Sequence, residues 1–314
     1  MTYKKIKIGI AAENRPQEKR VILLPPELKA IAAKYEVWVE KGAGAGIGVK
    51  DKEYEKAGAK IGSKEQIYQG DLVIRIKEPN EDELKLMRPG TALMSMLHLK
   101  GNPTLTRLLK KYKINSLAMA EIKDALGKRK IEALHQTGYL AMQKGIELWG
   151  KNPEKAVVKI MGYGNVACGA IQCAARKLAR VIILNKKDIY EMKKHLPGTD
   201  ILVNALRWPH KLRGKVILVK KEMLKLLNPG AIIVDIVSNP AGQSPIETIR
   251  PTSLDNISYV MDGVIHTACW GWPGLDPKRI SEIYSSQTAP IIQEIADKGM
   301  DNLPQYIKAA LVKA

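Results

Sequence analysis

The 314-residue chain contains no phenylalanine, and aromatic residues make up only 5% of it. Its three cysteines, Cys168, Cys173 and Cys269, are odd in number and lack the paired spacings of zinc or dithiol sites. The chain therefore offers no disulfide framework and no metal-ligating set, and buried thiols in a reducing cytoplasm are the expectation. No apolar run approaches the roughly 20 residues that cross a bilayer. The first residues enter an alternating strand, Lys5 to Ile10, without a signal-peptide core. A soluble, cytoplasmic protein with no membrane partner is expected. Carboxylates are scarce too: 32 Asp+Glu face 51 Lys+Arg, a formal net charge of +19. Such a surface attracts anions, whether nucleotides, carboxylates or nucleic acid. The lysines are scattered among glutamates, as in Lys50-Asp51-Lys52-Glu53-Tyr54-Glu55-Lys56, with no aromatic-spaced basic patch. Nucleic acid is therefore not an expected partner, and small anionic molecules are.

What is present is concentrated in Val157–Asn185, which reads as strand, glycine turn, helix and second strand in one unit. An apolar run from Val157 to Met161 ends at Gly162, and Gly162-Tyr163-Gly164-Asn165-Val166-Ala167 follows the G-x-G-x-x-G/A spacing. Gly162 permits the tight turn, Gly164 lets a phosphate approach the backbone, and Ala167 keeps the opening helix close to the sheet. The helix N-terminal amides then face the anion. The helix spans 166–178 and the second strand 180–184, so a dinucleotide-binding Rossmann unit is predicted. An acid at the end of that second strand would bind the ribose hydroxyls of NAD. Here the strand ends in Asn185-Lys186-Lys187, with Asp188 just beyond. NADP(H) is favoured, with NAD(H) as the alternative.

A chain of this length holds two domains of ordinary size. Strands are predicted at 5–12, 36–40, 71–76, 92–97 and 114–120, with helices at 51–57, 81–87 and 103–112 and one opening at Pro25-Pro26. A long helix over 130–148 precedes the Rossmann strand, and strands resume at 200–205 and 231–236, the latter after a helix at 221–227. Helices at 281–299 and 302–312 follow and are expected to pack back on the first domain. The fold class is α/β: two Rossmann-like, doubly wound parallel-sheet domains with an interdomain cleft. The substrate domain is residues 1–130 plus 285–314, and the NAD(P)-binding domain is 131–284.

Open parallel sheets bind ligands outside the carboxyl ends of their strands, so reacting groups are expected where the first domain's strands stop. The strand 71–76 runs into Lys77-Glu78-Pro79, and 92–97 runs into His98. A lysine leaving so apolar a strand can hold a carboxylate or carbonyl as a point charge, and a histidine exchanges a proton near neutrality. Arg20, last in the polar loop after the first strand, can clamp a carboxylate through its planar fork. A solvated charged turn is the plainer reading of that loop.

These residues carry a resemblance across nearly the full chain. Its elements are Arg20-Val21 before Leu24-Pro25; Val39-Glu40-Lys41-Gly42-Ala43-Gly44; Tyr54 with Ala57-Gly58-Ala59; Lys77-Glu78-Pro79; Leu97-His98-Leu99; the Gly162 turn; Pro229-Gly230-Ala231-Ile232-Ile233-Val234-Asp235; and Glu247-Thr248-Ile249-Arg250-Pro251-Thr252 with Asp262-Gly263-Val264-Ile265-His266. The chain resembles the alanine dehydrogenase and transhydrogenase family, which also includes saccharopine-forming dehydrogenases and N5-(carboxyethyl)ornithine synthase. The resemblance implies oxidation or reduction at the α-carbon of an amino acid. Arg20 and Lys77 would be the 2-oxo acid carboxylate and carbonyl ligands, His98 the acid/base, and the protein a homo-oligomer, dimer or hexamer. Its short length, the wording of its turn and its acid-free strand end resemble the synthase. They imply NADPH-dependent reductive condensation of pyruvate with the side-chain amine of an amino acid. The alternative is alanine dehydrogenase, using pyruvate, ammonia and NADH, and a further one is a non-catalytic dinucleotide-binding protein. Two departures stand out. Asn239 lies where the family loop offers a carboxylate, so it can hydrogen-bond substrate but not neutralise a cationic amine. Trp270 and Trp272 replace small polar residues, and either narrow the pocket or pack the domain interface.

Overall fold

The computed structural model describes residues 6–313, so Lys5 of the first expected strand lies outside the described residues. The chain divides into two compact units, one joining the segment through Glu132 to the segment from Pro277, the other Ala133–Asp276.

The first segment runs β1 (Lys7–Ile10), α1 (Pro25–Ala32), β2 (Glu36–Glu40), α2 (Asp51–Lys56), β3 (Lys60–Gly62), α3 (Lys64–Tyr68), β4 (Leu72–Ile74), α4 (Glu81–Lys85), β5 (Ala92–Ser95), α5 (Pro103–Lys111) and β6 (Asn115–Ala118). The middle segment runs α6 (Leu134–Trp149), β7 (Val157–Met161), α7 (Asn165–Arg176), β8 (Arg180–Leu184), α8 (Met192–His195), β9 (Ile201–Asn204), β10 (Ile232–Asp235), β11 (Tyr259–Met261) and β12 (Val264–Thr267). The last runs α9 (Pro277–Lys298), α10 (Gln305–Lys308) and β13 (Leu311–Val312).

The first unit is built on a seven-stranded sheet ordered β13-β6-β5-β4-β1-β2-β3. It is parallel except for β13, which pairs antiparallel with β6 through Leu311 and Leu117. Leu72, Val73 and Ile74 of β4 are fully buried, as an interior strand covered on both faces requires. α4 opens at a reciprocal cap: Asn80 Oδ1 accepts the Glu83 N–H at 2.9 Å, and Glu83 Oε2 accepts the Asn80 N–H at 2.9 Å. α9 begins at Pro277, a residue preset for the first helical position. Ser281 Oγ accepts the Val21 N–H at 3.0 Å and Ser285 Oγ the Leu24 N–H at 2.8 Å. Those bonds bind α9 to the start of α1, so the unit boundary falls at Asp276/Pro277, ahead of the expected 284/285.

The second unit has a six-stranded sheet ordered β11-β12-β10-β9-β7-β8, parallel except for β11 on β12. Alternate residues serve two cores: Ile201, Val203, Ile232 and Val234 pack in one, while Leu202 and Ile233 pack in the other. α6 and α7 cross backbone to backbone. A Cβ on Gly138 would lie 1.9 Å from the Val166 carbonyl oxygen, and one on Gly169 would lie 1.8 Å from that of His135.

Both sheets are the α/β, Rossmann-like layers expected. Two local expectations fail. The predicted helix at 302–312 is helical only over Gln305–Lys308, because Leu311–Val312 extends the first sheet. The segment at 221–227 is a 3-10 turn over Lys221–Leu226.

Candidate functional site

Where β4 leaves the first unit's sheet, two cations meet opposite environments. Arg75 is fully buried; its Nη1 donates to Tyr68 Oη at 2.5 Å and pairs with Glu83 Oε1 at 2.8 Å, while Nη2 reaches Asn14 Oδ1 at 3.0 Å and Glu13 Oε2 at 3.4 Å. Glu13, from the loop after β1, also accepts the Ile76 N–H at 2.6 Å and the Lys77 N–H at 3.1 Å. Lys77 is half-buried, and its ammonium makes no hydrogen bond or close ion pair among the described residues. Burial and the neighbouring Arg20 charge hold its pKa below the ordinary lysine value, with Glu18 opposing them.

Arg20 is 3% exposed. Its Nε donates to Glu18 Oε1 at 2.6 Å and its Nη2 to Glu18 Oε2, a two-point grip on one edge of the guanidinium. Burial opposes the charge, but this carboxylate outweighs it and the Arg20 pKa is raised. Burial likewise opposes ionisation of Glu18, and the bonds from Arg20 overcome it, lowering the Glu18 pKa. The Tyr284 ring lies 5.8 Å from the Arg20 guanidinium carbon. The sequence assigned Tyr284 to the other domain and gave it no role.

His98 follows β5 with φ 44° and ψ 41°, a left-handed conformation uncommon for a side-chain-bearing residue. The end of β5 is tied to that of β4, since Ser95 Oγ and the Met96 N–H both donate to the Ile76 carbonyl, at 3.1 and 2.9 Å. His98 is exposed as a whole residue. Partial desolvation lowers its pKa, with Glu78 opposing and Lys77, Arg129 and Arg15 adding to the effect. Arg20, Lys77 and His98 thus form one electrostatic cluster in the first unit. Of its supporting residues, Glu13 and Arg75 escaped the sequence reading. Arg75 left a signal, as a lone charge inside the apolar run Leu72–Ile76.

In the second unit, β7 ends at Gly162, whose φ is +114°. A Cβ there would meet the Ala205 carbonyl oxygen at 2.6 Å, so only glycine fits. A Cβ on Gly164 would have nothing within 4 Å, and α7 starts with no side-chain cap and no acid in its first turn. Asn165 is exposed, Val166 half-buried and Ala167 fully buried. The open, uncapped helix start fits an anion of pyrophosphate type, held by backbone N–H groups.

At the end of β8, Asn185 Oδ1 accepts the Lys187 N–H at 2.8 Å, and Asp188 Oδ2 accepts the Asn185 N–H at 2.8 Å. Asp188 Oδ1 lies 3.5 Å from His195 Nε2. The nearest carboxylate is thereby engaged in its own turn, while Lys186 and Lys187 are exposed.

The loop after β10 is pinned by Asp235, which is fully buried. Its carboxylate accepts from Asn204 Nδ2 (3.0 Å), Ser244 Oγ (2.8 Å) and the N–H groups of Val237 and Ser238 (3.0 Å each). Asn239, beyond it, is 2% exposed, and its Nδ2 has no hydrogen-bond partner among the described residues. Of the two tryptophans, Trp272 packs in a core of this unit and donates its Nε1–H to the Asp235 carbonyl at 3.3 Å. Trp270 is exposed.

Residues 9–141 match the family model described as Alanine dehydrogenase/PNT, N-terminal domain, and residues 184–312 match Alanine dehydrogenase/PNT, C-terminal domain. The chain belongs to the alanine dehydrogenase/PNT family. The alanine dehydrogenase of Methanococcus maripaludis is 32% identical over 93% of this chain and 88% of its own length. That of Geobacillus stearothermophilus is 28% identical over 94% and 88%. A solved L-alanine dehydrogenase superposes with a TM-score of 0.88 at 25% identity, covering 98% of this chain and 96% of that one. A transhydrogenase from Sinorhizobium meliloti, at 21% identity and a TM-score of 0.79, shares the fold, with 93% and 94% covered. As a member of the alanine dehydrogenase/PNT family, the chain is a nicotinamide-dinucleotide-dependent amino acid dehydrogenase acting on CH–NH donors. Because these relatives are alanine dehydrogenases, they back the ammonia-using alternative better than condensation with a side-chain amine. Among the described residues, no helix is long and apolar enough to cross a membrane.

Proposed function

We propose that the chain interconverts pyruvate and L-alanine, with ammonia as the amine. The observation that carries this reading is the half-buried Lys77 ammonium, without a hydrogen bond or close ion pair among the described residues, which feels the charges of the paired Arg20 and Glu18 and in turn acts on His98. Arg20 keeps the edge not gripped by Glu18 for the 2-oxo acid carboxylate, and Lys77 Nζ donates to the carbonyl oxygen. That donor stabilises negative charge developing on the oxygen. His98, neutral near pH 7 because its pKa is lowered, moves protons to and from the oxygen and nitrogen at the reacting carbon. The dinucleotide, when bound, supplies or takes up the hydride. Gly162, Gly164, Asn165, Val166 and Ala167 would hold its pyrophosphate, and Asn185, Lys186 and Lys187 the ribose beyond. The engaged Asp188 and the two exposed lysines support NADP(H) over NAD(H).

The acid-free end of β8, with Lys186 and Lys187 exposed and Asp188 engaged in its own turn, favours a second reading, reductive condensation of pyruvate with an amino acid's side-chain amine, as the resemblance to the NADPH-using synthase implies. Cofactor oxidation with pyruvate plus ammonium, set against pyruvate plus ornithine or lysine, decides between the two. Turnover with ammonium alone is the expected outcome, and turnover requiring the diamino acid would replace the first reading with the second. The same assay with NADPH and NADH tests the cofactor preference. His98→Ala that binds dinucleotide and still turns over at the parent rate would remove the role of His98. Assembly as a dimer or hexamer, and residence in the cytoplasm, rest on the family resemblance and cysteine usage; light scattering reads the first and cell fractionation the second.

A further inference from the structure

We propose that Glu13 is a positioning residue for Lys77: its carboxylate fixes the backbone of the segment that follows β4 and carries the lysine. In an extended strand, successive N–H groups point to opposite sides. Here the consecutive N–H groups of Ile76 and Lys77 converge on one carboxylate, Oε1 at 2.6 Å and Oε2 at 3.1 Å. The two peptide planes leading to Lys77, just beyond β4, are therefore fixed by a group 64 residues earlier in the chain.

Glu13 is itself held. Its side chain is 2% exposed, its Oε2 lies 3.4 Å from Arg75 Nη2, and the same nitrogen donates to Asn14 Oδ1 at 3.0 Å, tying the loop after β1 to β4 twice. Arg75 is anchored on its other side by Tyr68 Oη and Glu83. The result is a hydrogen-bonded cluster that engages Lys77 through its backbone N–H, while among the described residues the Lys77 ammonium makes no hydrogen bond or close ion pair. Arg75 and Glu13 do not reach substrate; they determine where Lys77 does.

This inference rests on the reading of Lys77 as the carbonyl ligand. The test is a double-mutant cycle on the full chain, using Glu13→Gln, Lys77→Ala and both, with the pyruvate KM, kcat and dinucleotide Kd measured for each. A glutamine cannot accept from both N–H groups, since one side of its amide is a donor. Glu13→Gln is expected to raise the pyruvate KM about 10- to 100-fold through misplacement of Lys77, with dinucleotide Kd unchanged, and to add nothing further in the Lys77→Ala background. A merely structural role would lower the active fraction and kcat without moving KM. If Lys77→Ala retains full activity, the reading of Lys77 fails. If Lys77→Ala loses activity but Glu13→Gln leaves KM unchanged or acts additively, the positioning role fails and the reading of Lys77 stands. Should Glu13→Gln not fold, Glu13→Asp takes its place in the cycle with the same expectations and a smaller rise in KM.

Discussion

On the reading proposed above, the two units prepare for anions by opposite means. In the first, charged side chains hold one another: Arg20 is gripped by Glu18 and Arg75 by Glu13 and Glu83, while Lys77 makes no close ion pair among the described residues. In the second, side chains are withdrawn, and a glycine that tolerates no Cβ is followed by one whose Cβ would touch nothing. A site of the first kind depends on electrostatic placement and tolerates loss of its free member without unfolding. A site of the second kind depends on backbone shape, so its most sensitive residue is the one with the least chemistry.

The sharpest way to break this contrast is Gly162→Ala. The added methyl would sit 2.6 Å from a backbone oxygen at φ +114°, and a loss of about 3 kcal/mol of stability is expected, with dinucleotide binding abolished; urea denaturation and cofactor titration check both. Lys77→Ala should be the mirror image, lowering kcat/KM by roughly 10²- to 10³-fold with thermal stability and dinucleotide affinity unchanged. An unfolded first unit would show that Lys77 is part of the scaffold after all. Gly164→Ala sharpens the contrast within the turn itself. It should leave stability within about 0.5 kcal/mol while weakening the dinucleotide roughly tenfold by crowding the approach to the helix amides. The smallest effect is in the pH profile. Because the His98 pKa lies below its ordinary 6.5, the imidazole takes up its proton only in more acidic solution than free histidine does. The acid limb of kcat/KM should therefore fall below pH 6.5, and His98→Gln should remove it. The same sign applies to folding: any contribution from keeping His98 neutral is present above pH 6.5 and lost as pH falls.

Local pattern carried much of this in advance. β2 and β8 were legible to the residue, because an apolar alternation or run bounded by turn residues reports a strand whatever lies beside it. The turn at Gly162 was legible because its glycine spacing is a local pattern, although the carbonyl that excludes a Cβ there belongs to Ala205. What escaped depends on distant partners. Leu311–Val312 reads as the end of a helix until β6 is there to pair with it. Gly138 and Gly169 acquire meaning only when α6 and α7 touch. Glu13 looks like one more charge in a polar loop, and its role arises 64 residues later in the chain. Trp272 was read as lining a pocket or an interface; it fills a core instead, because its neighbours in space come from α6, α7 and the sheet.

The first unit is interrupted by the whole of the second, and it needs α9 to brace the start of α1 and β13 to close the sheet beside β6. On a ribosome the usual order, in which the earlier domain matures first, is therefore reversed. The continuous middle segment can finish folding while the opening segment is still waiting for helix and strand more than 150 residues downstream of β6. Until they emerge, β6 presents an unpaired edge to its surroundings. For this molecule the vulnerable interval of biogenesis belongs to the part made first.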